Sequence, residues 1–122
     1  MASKKLHLVS LPGPNDIYRE TLPNGITVLS RSNFNSPSVV MSGYFTTGSL
    51  LETDDKLGLA DFACSALMRG TVKRDMQQIF DALESVGAGF GYASGTYTSS
   101  FSGRSLAEDL PLLLNILSET IQ

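Results

Sequence analysis

A chain of 122 residues is one domain or a part of one, and 42% hydrophobic against 17% charged residues supports a packed core, which excludes wholesale disorder. The net charge of −3, with no basic block beyond Lys4-Lys5 and Lys73-Arg74, excludes a nucleic-acid footprint. A single cysteine, Cys64, excludes an intrachain disulfide framework, and a single histidine, His7, excludes a two-histidine metal site built from this chain. The opening residues carry Lys4 and Lys5 but no apolar stretch long enough for a secretory signal, and no apolar run approaches a membrane span. These features predict a cytoplasmic protein, with an organelle or the periplasm in its place if a targeting segment has been removed.

In chain order, Pro12-Gly13-Pro14-Asn15-Asp16 separates the opening Leu6–Leu11 stretch from the rest of the chain. Ile17–Leu22 and Ile26–Arg31 flank Pro23-Asn24-Gly25, which predicts a hairpin whose Asn-Gly pair supplies the two positive-φ positions of a type I′ turn. Ser38–Thr47 alternates and is rich in Val, Tyr, Phe and Thr, a strand pattern that ends at Gly48-Ser49. A helix is predicted over 57–69, where Leu59, Phe62, Ala63, Ala66 and Leu67 recur at helical spacing, closed by Gly70-Thr71. A second is predicted over 75–86, capped by Asp75 with Gln78 three residues on and ended at Gly87, with Met76, Ile79, Phe80, Leu83 and Val86 as its apolar face.

Residues 88–103 mix Gly with Phe, Tyr, Ser and Thr and predict one or two strands bending at Gly95, with Phe90, Tyr92 and Ser94 on one face. The third helix starts either at a Ser105/Glu108 capping box or at Asp109, the latter placing Pro111 in its first turn. Leu110, Leu113, Leu114, Leu117 and Ile121 are its expected core face, and it runs to Gln122 with no stop signal, which predicts an incomplete domain. Strands, two helices, strands and a helix predict an α+β fold, an antiparallel sheet with helices packed on one face.

Several stretches resemble, in one order, the insulinase/pitrilysin-like zinc peptidases, which include the mitochondrial processing peptidases. They are Thr21-Leu22-Pro23-Asn24-Gly25-Ile26-Thr27-Val28, Gly48-Ser49-Leu50-Leu51-Glu52, Gly58-Leu59-Ala60-Asp61-Phe62, Leu67-Met68-Arg69-Gly70-Thr71 and Leu83-Glu84-Ser85-Val86-Gly87-Ala88. The resemblance implies residues 17–122 as an incomplete N-terminal peptidase-like domain behind an N-terminal extension, 1–16. It also implies a site: the family's His-x-x-Glu-His sets two zinc-binding histidines on one helical face beside the glutamate that activates water. In this chain Asp61 stands where the first histidine would be, Cys64 where the glutamate would be, and Ser65 where the second histidine would be. The family's third ligand, a glutamate roughly seventy to eighty residues beyond the first histidine, would fall past Gln122.

The resemblance therefore implies a pseudo-peptidase: no catalytic residues, no metal and no cofactor in this chain, with zinc expected in an active partner. Asp61 and Cys64 share a helical face and both ligate zinc elsewhere, yet Ser65 is a poor ligand and the general base is missing. The implied partners are a sibling subunit bearing an intact zinc motif, or a second copy of the chain, with peptides as ligands. Phe90, Tyr92 and Ser94 are the candidate peptide-binding residues, because in the family a substrate adds as a strand to a sheet edge. An ordinary half-exposed strand is the alternative reading of that segment. An alternative for the whole chain is a structural or assembly protein, in the manner of the non-enzymatic core subunits of the respiratory bc1 complex. A third is a hydrolase with a site rebuilt around Cys64 or Asp61.

Overall fold

β-Branched and aromatic residues on either side of Pro23-Asn24-Gly25 pair as a hairpin in the computed structural model, which describes residues 13–122. His7 and the Leu6–Leu11 stretch lie outside the described residues. The chain divides into two units, one ending at Ser36 and the other running from Pro37 to Gln122.

In the first unit, β1 (Tyr18–Thr21) and β2 (Thr27–Ser30) run antiparallel with Tyr18 opposite Ser30 and Thr21 opposite Thr27. The turn differs from the expected type I′. Gly25 alone has positive φ, 87°, and Asn24 does not. Gly25 N–H donates to Leu22 O at 2.9 Å and Leu22 N–H to Ile26 O at 2.8 Å, so the loop has three residues, a tight turn followed by a left-handed glycine. Pro23 is the physical reason. Its ring fixes φ near −65°, which suits the first central position of an ordinary turn and starts that turn one residue earlier.

The second unit holds β3 (Ser38–Phe45), α1 (Leu59–Ala66), α2 (Met76–Ser85), β4 (Gly89–Ser94), β5 (Ser99–Leu106) and α3 (Leu110–Thr120). The strands form one antiparallel sheet in the order β3-β5-β4. Alternation sends Val39, Met41 and Phe45 of β3, Phe90 and Tyr92 of β4, and Phe101 of β5 to the same face. Against that face lie Ile79 and Leu83 of α2 with Leu113 and Ile116 of α3, all buried, and Met41 and Phe90 pack onto them. The fold is α+β, with antiparallel strands and helices on the sheet's inner face.

Local signals define α2 well. Gln78 N–H donates to Asp75 Oδ1 at 2.8 Å, and Asp75 N–H donates back to Gln78 Oε1 at 3.0 Å, a reciprocal cap. At the other end Gly87 takes φ 63° while Ala88 N–H reaches Leu83 O and Gly87 N–H reaches Glu84 O.

Two helices turn differently from expectation. Ser105 is the buried seventh residue of β5, its hydroxyl donating to Leu106 O, so no capping box forms there; α3 starts after Asp109 with Pro111 in its first turn. Its core residues are Leu113, Ile116 and Thr120, whereas Leu114 and Ile121 are about half exposed. A run of leucines around much of the helix makes several phases equally apolar, and packing against α2 selects one. In α1 the buried residue is Cys64, and Leu59, Phe62, Ala63 and Ala66 face away from the core.

Candidate functional site

The window that resembles the family's catalytic motif lies wholly on α1, at the second unit's contact between α1 and β4. Residues 61, 64 and 65 stand at i, i+3 and i+4. Asp61 and Ser65 are exposed, while Cys64 is only 7% exposed. Burial raises the Tyr92 pKa above 10.0, the hydrogen bond with Thr120 lowers it in part, and Cys64 adds to the rise. Beside the window, a hollow lined by Lys56, Leu57, Gly58, Leu59 and Phe62 is almost entirely apolar.

What positions α1 is the segment Gly48-Ser49-Leu50-Leu51-Glu52. At its start, Ser49 N–H donates to Gly95 O at 3.0 Å and Leu50 N–H to Thr96 O at 2.9 Å. Ser99 Oγ completes the clasp by donating to Thr47 O at 2.6 Å. These bonds pin the end of β3 to the turn between β4 and β5. Gly48 permits the approach: a Cβ there would stand 2.5 Å from Thr96 O and 2.8 Å from Gly95 O. Its own backbone is ordinary extended chain, φ −152°, so space rather than conformation demands the glycine.

At the far end of the segment, Glu52 accepts from Gly58 N–H through Oε2 and from Ala60 N–H through Oε1, both at 2.7 Å. Gly58, the residue before α1, has no side chain to cap the helix, and a carboxylate from six residues upstream does so instead. The motif's two ends thus have two jobs: one fastens the sheet, the other aims the helix. Neither Gly48 nor Glu52 stands out as a site residue from sequence, because both partners are supplied by the fold. The spacing of Glu52 ahead of a glycine-led helix is the available signal.

Phe90, Tyr92 and Ser94 share one face of β4, as alternation requires. That face is the inner one. Phe90 packs on the buried cluster, its ring 5.3 Å from Tyr92 in an edge-to-face pair. The Tyr92 hydroxyl pairs with the buried Thr120 hydroxyl, which also donates to Ile116 O at 2.8 Å. Both aromatic side chains are therefore engaged in packing. Among the described residues β4 pairs with β5 alone, so its other backbone edge carries no strand. Thr120 is a residue that sequence reasoning misses, since only the register of α3 over β4 brings it to Tyr92.

Comparison with known proteins bears on this arrangement. The sequence model of the insulinase peptidases, peptidase family M16, matches residues 27–122. The β subunit of the mitochondrial-processing peptidase of Neurospora crassa is 30% identical over 102 residues, 84% of this chain and 21% of that protein. An uncharacterized zinc protease of Rickettsia felis is 30% identical over 101 residues, 83% of this chain and 24% of that one. Among solved structures, a peptidase M16 inactive domain from Pseudomonas fluorescens matches with a TM-score of 0.77 at 22% identity, over 86% of this chain and 26% of that one. A protease from Helicobacter pylori gives 0.79 at 18% identity, over 85% and 25%. The structural matches establish the fold, and the chain spans only 21% to 26% of the length of these proteins. No helix among the described residues is long and apolar enough to cross a membrane.

Proposed function

The chain belongs to the insulinase family, peptidase family M16, and from that premise we propose that it is a zinc-site-degenerate part of a peptidase subunit that works beside an active sibling chain. The observation that carries this reading is the content of α1 at 61, 64 and 65. A hydrolytic zinc site needs three protein ligands, an open position for water and a base to take the water's proton. Asp61 is an accessible donor, but the Cys64 thiol is packed under β4 and Ser65 is a neutral hydroxyl. Among the described residues, no three of His, Cys, Asp and Glu come together as a metal cage. The residues present do not fit zinc.

Residues 17–122 then act as the N-terminal part of a peptidase-type domain, with 1–16 as an extension ahead of it. The element that remains suited to a peptide is the open backbone edge of β4, where main-chain donors and acceptors alternate for an added strand. Phe90 and Tyr92 support that edge from beneath, by packing. The sibling chain, with an intact His-x-x-Glu-His, supplies the chemistry.

The test is the zinc content of the purified chain after dialysis against metal-free buffer, with peptide hydrolysis measured beside it. Less than roughly a tenth of an equivalent of zinc and no hydrolysis are expected. About one equivalent, lost in Asp61→Ala and Cys64→Ala, overturns the reading and means a rebuilt site. Adding the sibling chain from the same genome should raise peptide turnover above that of the sibling alone. A stable complex with unchanged turnover would instead favour a purely structural role.

A further inference from the structure

The leucine-rich helix α3 does not sit on its most apolar side. Leu110, Leu114, Leu117 and Ile121 repeat at i, i+4, i+7 and i+11, an all-aliphatic stripe, yet Leu114 and Ile121 are 49% and 45% exposed. The helix instead turns Thr120 inward, to 7% exposure, and leaves the Glu119 side chain only 10% exposed. With about 100° between successive residues, the buried side lies roughly 50° from the middle of the apolar side, toward Glu119. Covering polar groups ahead of aliphatic ones is unfavourable unless each polar group meets a partner, so the rotation needs a cause inside the second unit.

Both polar residues have such a partner. Glu119 accepts from Arg74 Nη1 through both carboxylate oxygens, at 3.1 and 3.0 Å, and Lys73 Nζ stands 4.0 Å away. Arg74 is itself held: its N–H and that of Lys73 donate to Thr71 Oγ1 at 3.0 and 3.1 Å, and Thr71 N–H donates to Arg74 O at 2.7 Å. The loop ahead of α2 therefore presents the guanidinium from a fixed place. One residue on, Thr120 Oγ1 donates its single proton to Ile116 O at 2.8 Å, so the Tyr92 hydroxyl is the donor in their pair. Glu119 and Thr120 thus reach two different elements, the loop ahead of α2 and β4, from the last turn of α3. Two holds about 100° apart around the helix axis leave it one rotation.

We propose that Glu119 and Thr120 form a polar latch that sets the rotation of α3 against its own leucines, and that α3 has a second seat, turned onto Leu114 and Ile121, which the latch shuts off. In the second seat Glu119 reaches solvent, Thr120 moves to the rim of the contact, and Leu117 and Ile121 meet Ile79 and Leu83 of α2 in place of Ile116. The latch decides between the two. Engaged, it helps leave no buried side-chain polar atom without a partner among the described residues; released, it strands a covered carboxylate. A buried ion pair used in this way selects one packing among several apolar ones rather than adding net stability. Because Thr120 holds Tyr92, the same latch fixes the inner side of β4. Every contact it uses lies within the second unit, so it stands apart from the zinc reading and holds whatever lies against the outer leucines.

Methyl-resolved nuclear magnetic resonance of the full chain, with the isoleucine δ1 methyls labelled, reads the seat directly. In the parent chain Ile116 should show Overhauser effects to Ile79, and Ile121 should show none. Arg74→Met with Tyr92→Phe removes both partners and leaves the sequence of α3 unchanged. There Ile121 should gain Overhauser effects to Ile79, and a second set of Ile116 and Ile121 signals should rise from under roughly a tenth of the intensity to the larger part. Adding Glu119→Leu and Thr120→Val to that chain should shift the balance back to the parent seat, because no stranded polar group then opposes it. Contacts that merely stabilise would move neither set of methyl effects. If the double variant does not fold, Arg74→Met alone carries the same expectation with a smaller second set. A folded variant, double or single, in which Ile116 keeps its contact with Ile79 and no second set arises overturns the proposal. So does a quadruple variant whose second set is as large as that of the double variant.

Discussion

Replacing Gly48 with alanine tests whether the clasp between the end of β3 and the β4–β5 turn supports the fold. The added methyl would meet Thr96 O at 2.5 Å, the Tyr97 carbonyl carbon at 2.7 Å and Gly95 O at 2.8 Å. All three are backbone atoms, so no side chain can rotate away, and the two segments must part. Overpacking of this kind costs about 1–3 kcal/mol. Parting also stretches the bonds from Ser49 and Leu50 to Gly95 and Thr96, each worth about 0.5–1.5 kcal/mol. A loss of about 2–6 kcal/mol results, which at a urea dependence of about 2 kcal/mol per molar moves the unfolding midpoint by roughly 1–3 M. Hydrogen exchange localises the effect: the Ser49 and Leu50 amides should lose protection before those of α2. Gly89→Ala is the control, because nothing lies within 4 Å of a Cβ there. A Gly48→Ala midpoint equal to that of the control would refute the reasoning.

Glu52→Ala should cost about 1–2 kcal/mol and speed exchange of the Gly58 and Ala60 amides, since a charged cap on two amides is lost; unchanged exchange at those two residues would show that Glu52 does not cap α1. Tyr92 bears on pH. Its folded pKa lies above 10.0 chiefly through burial, so the folded state holds the proton longer than the unfolded chain does. The associated stability is fully present below pH 10 and is lost as pH rises through the folded value. Tyr92→Phe should remove one late-titrating phenol from the ultraviolet titration and flatten the alkaline fall in stability. At neutral pH it should cost about 1 kcal/mol, the worth of the hydrogen bond with Thr120. An alkaline limb as steep as that of the parent protein would count against this assignment.

Features whose partners lie within a few residues are legible in the sequence. The Asp75/Gln78 cap, the Gly87 stop and the alternation of β3 are of this kind, because a cap or a pleat is satisfied by its own neighbours. The hairpin is legible as a hairpin, but its turn type is not read correctly from Asn-Gly alone, because the proline ahead of that pair shifts the turn. Tertiary structure decides the rest. Which side of α3 is buried, which of two apolar sides of α1 meets the sheet, and why Gly48 and Glu52 stand where they do depend on elements distant in the chain. The sheet face that Phe90, Tyr92 and Ser94 occupy is of the same sort: alternation groups them on one side, and only the helices packed there make that side the interior. Periodicity tells that a helix has an apolar face, and close packing against particular neighbours tells which way it points.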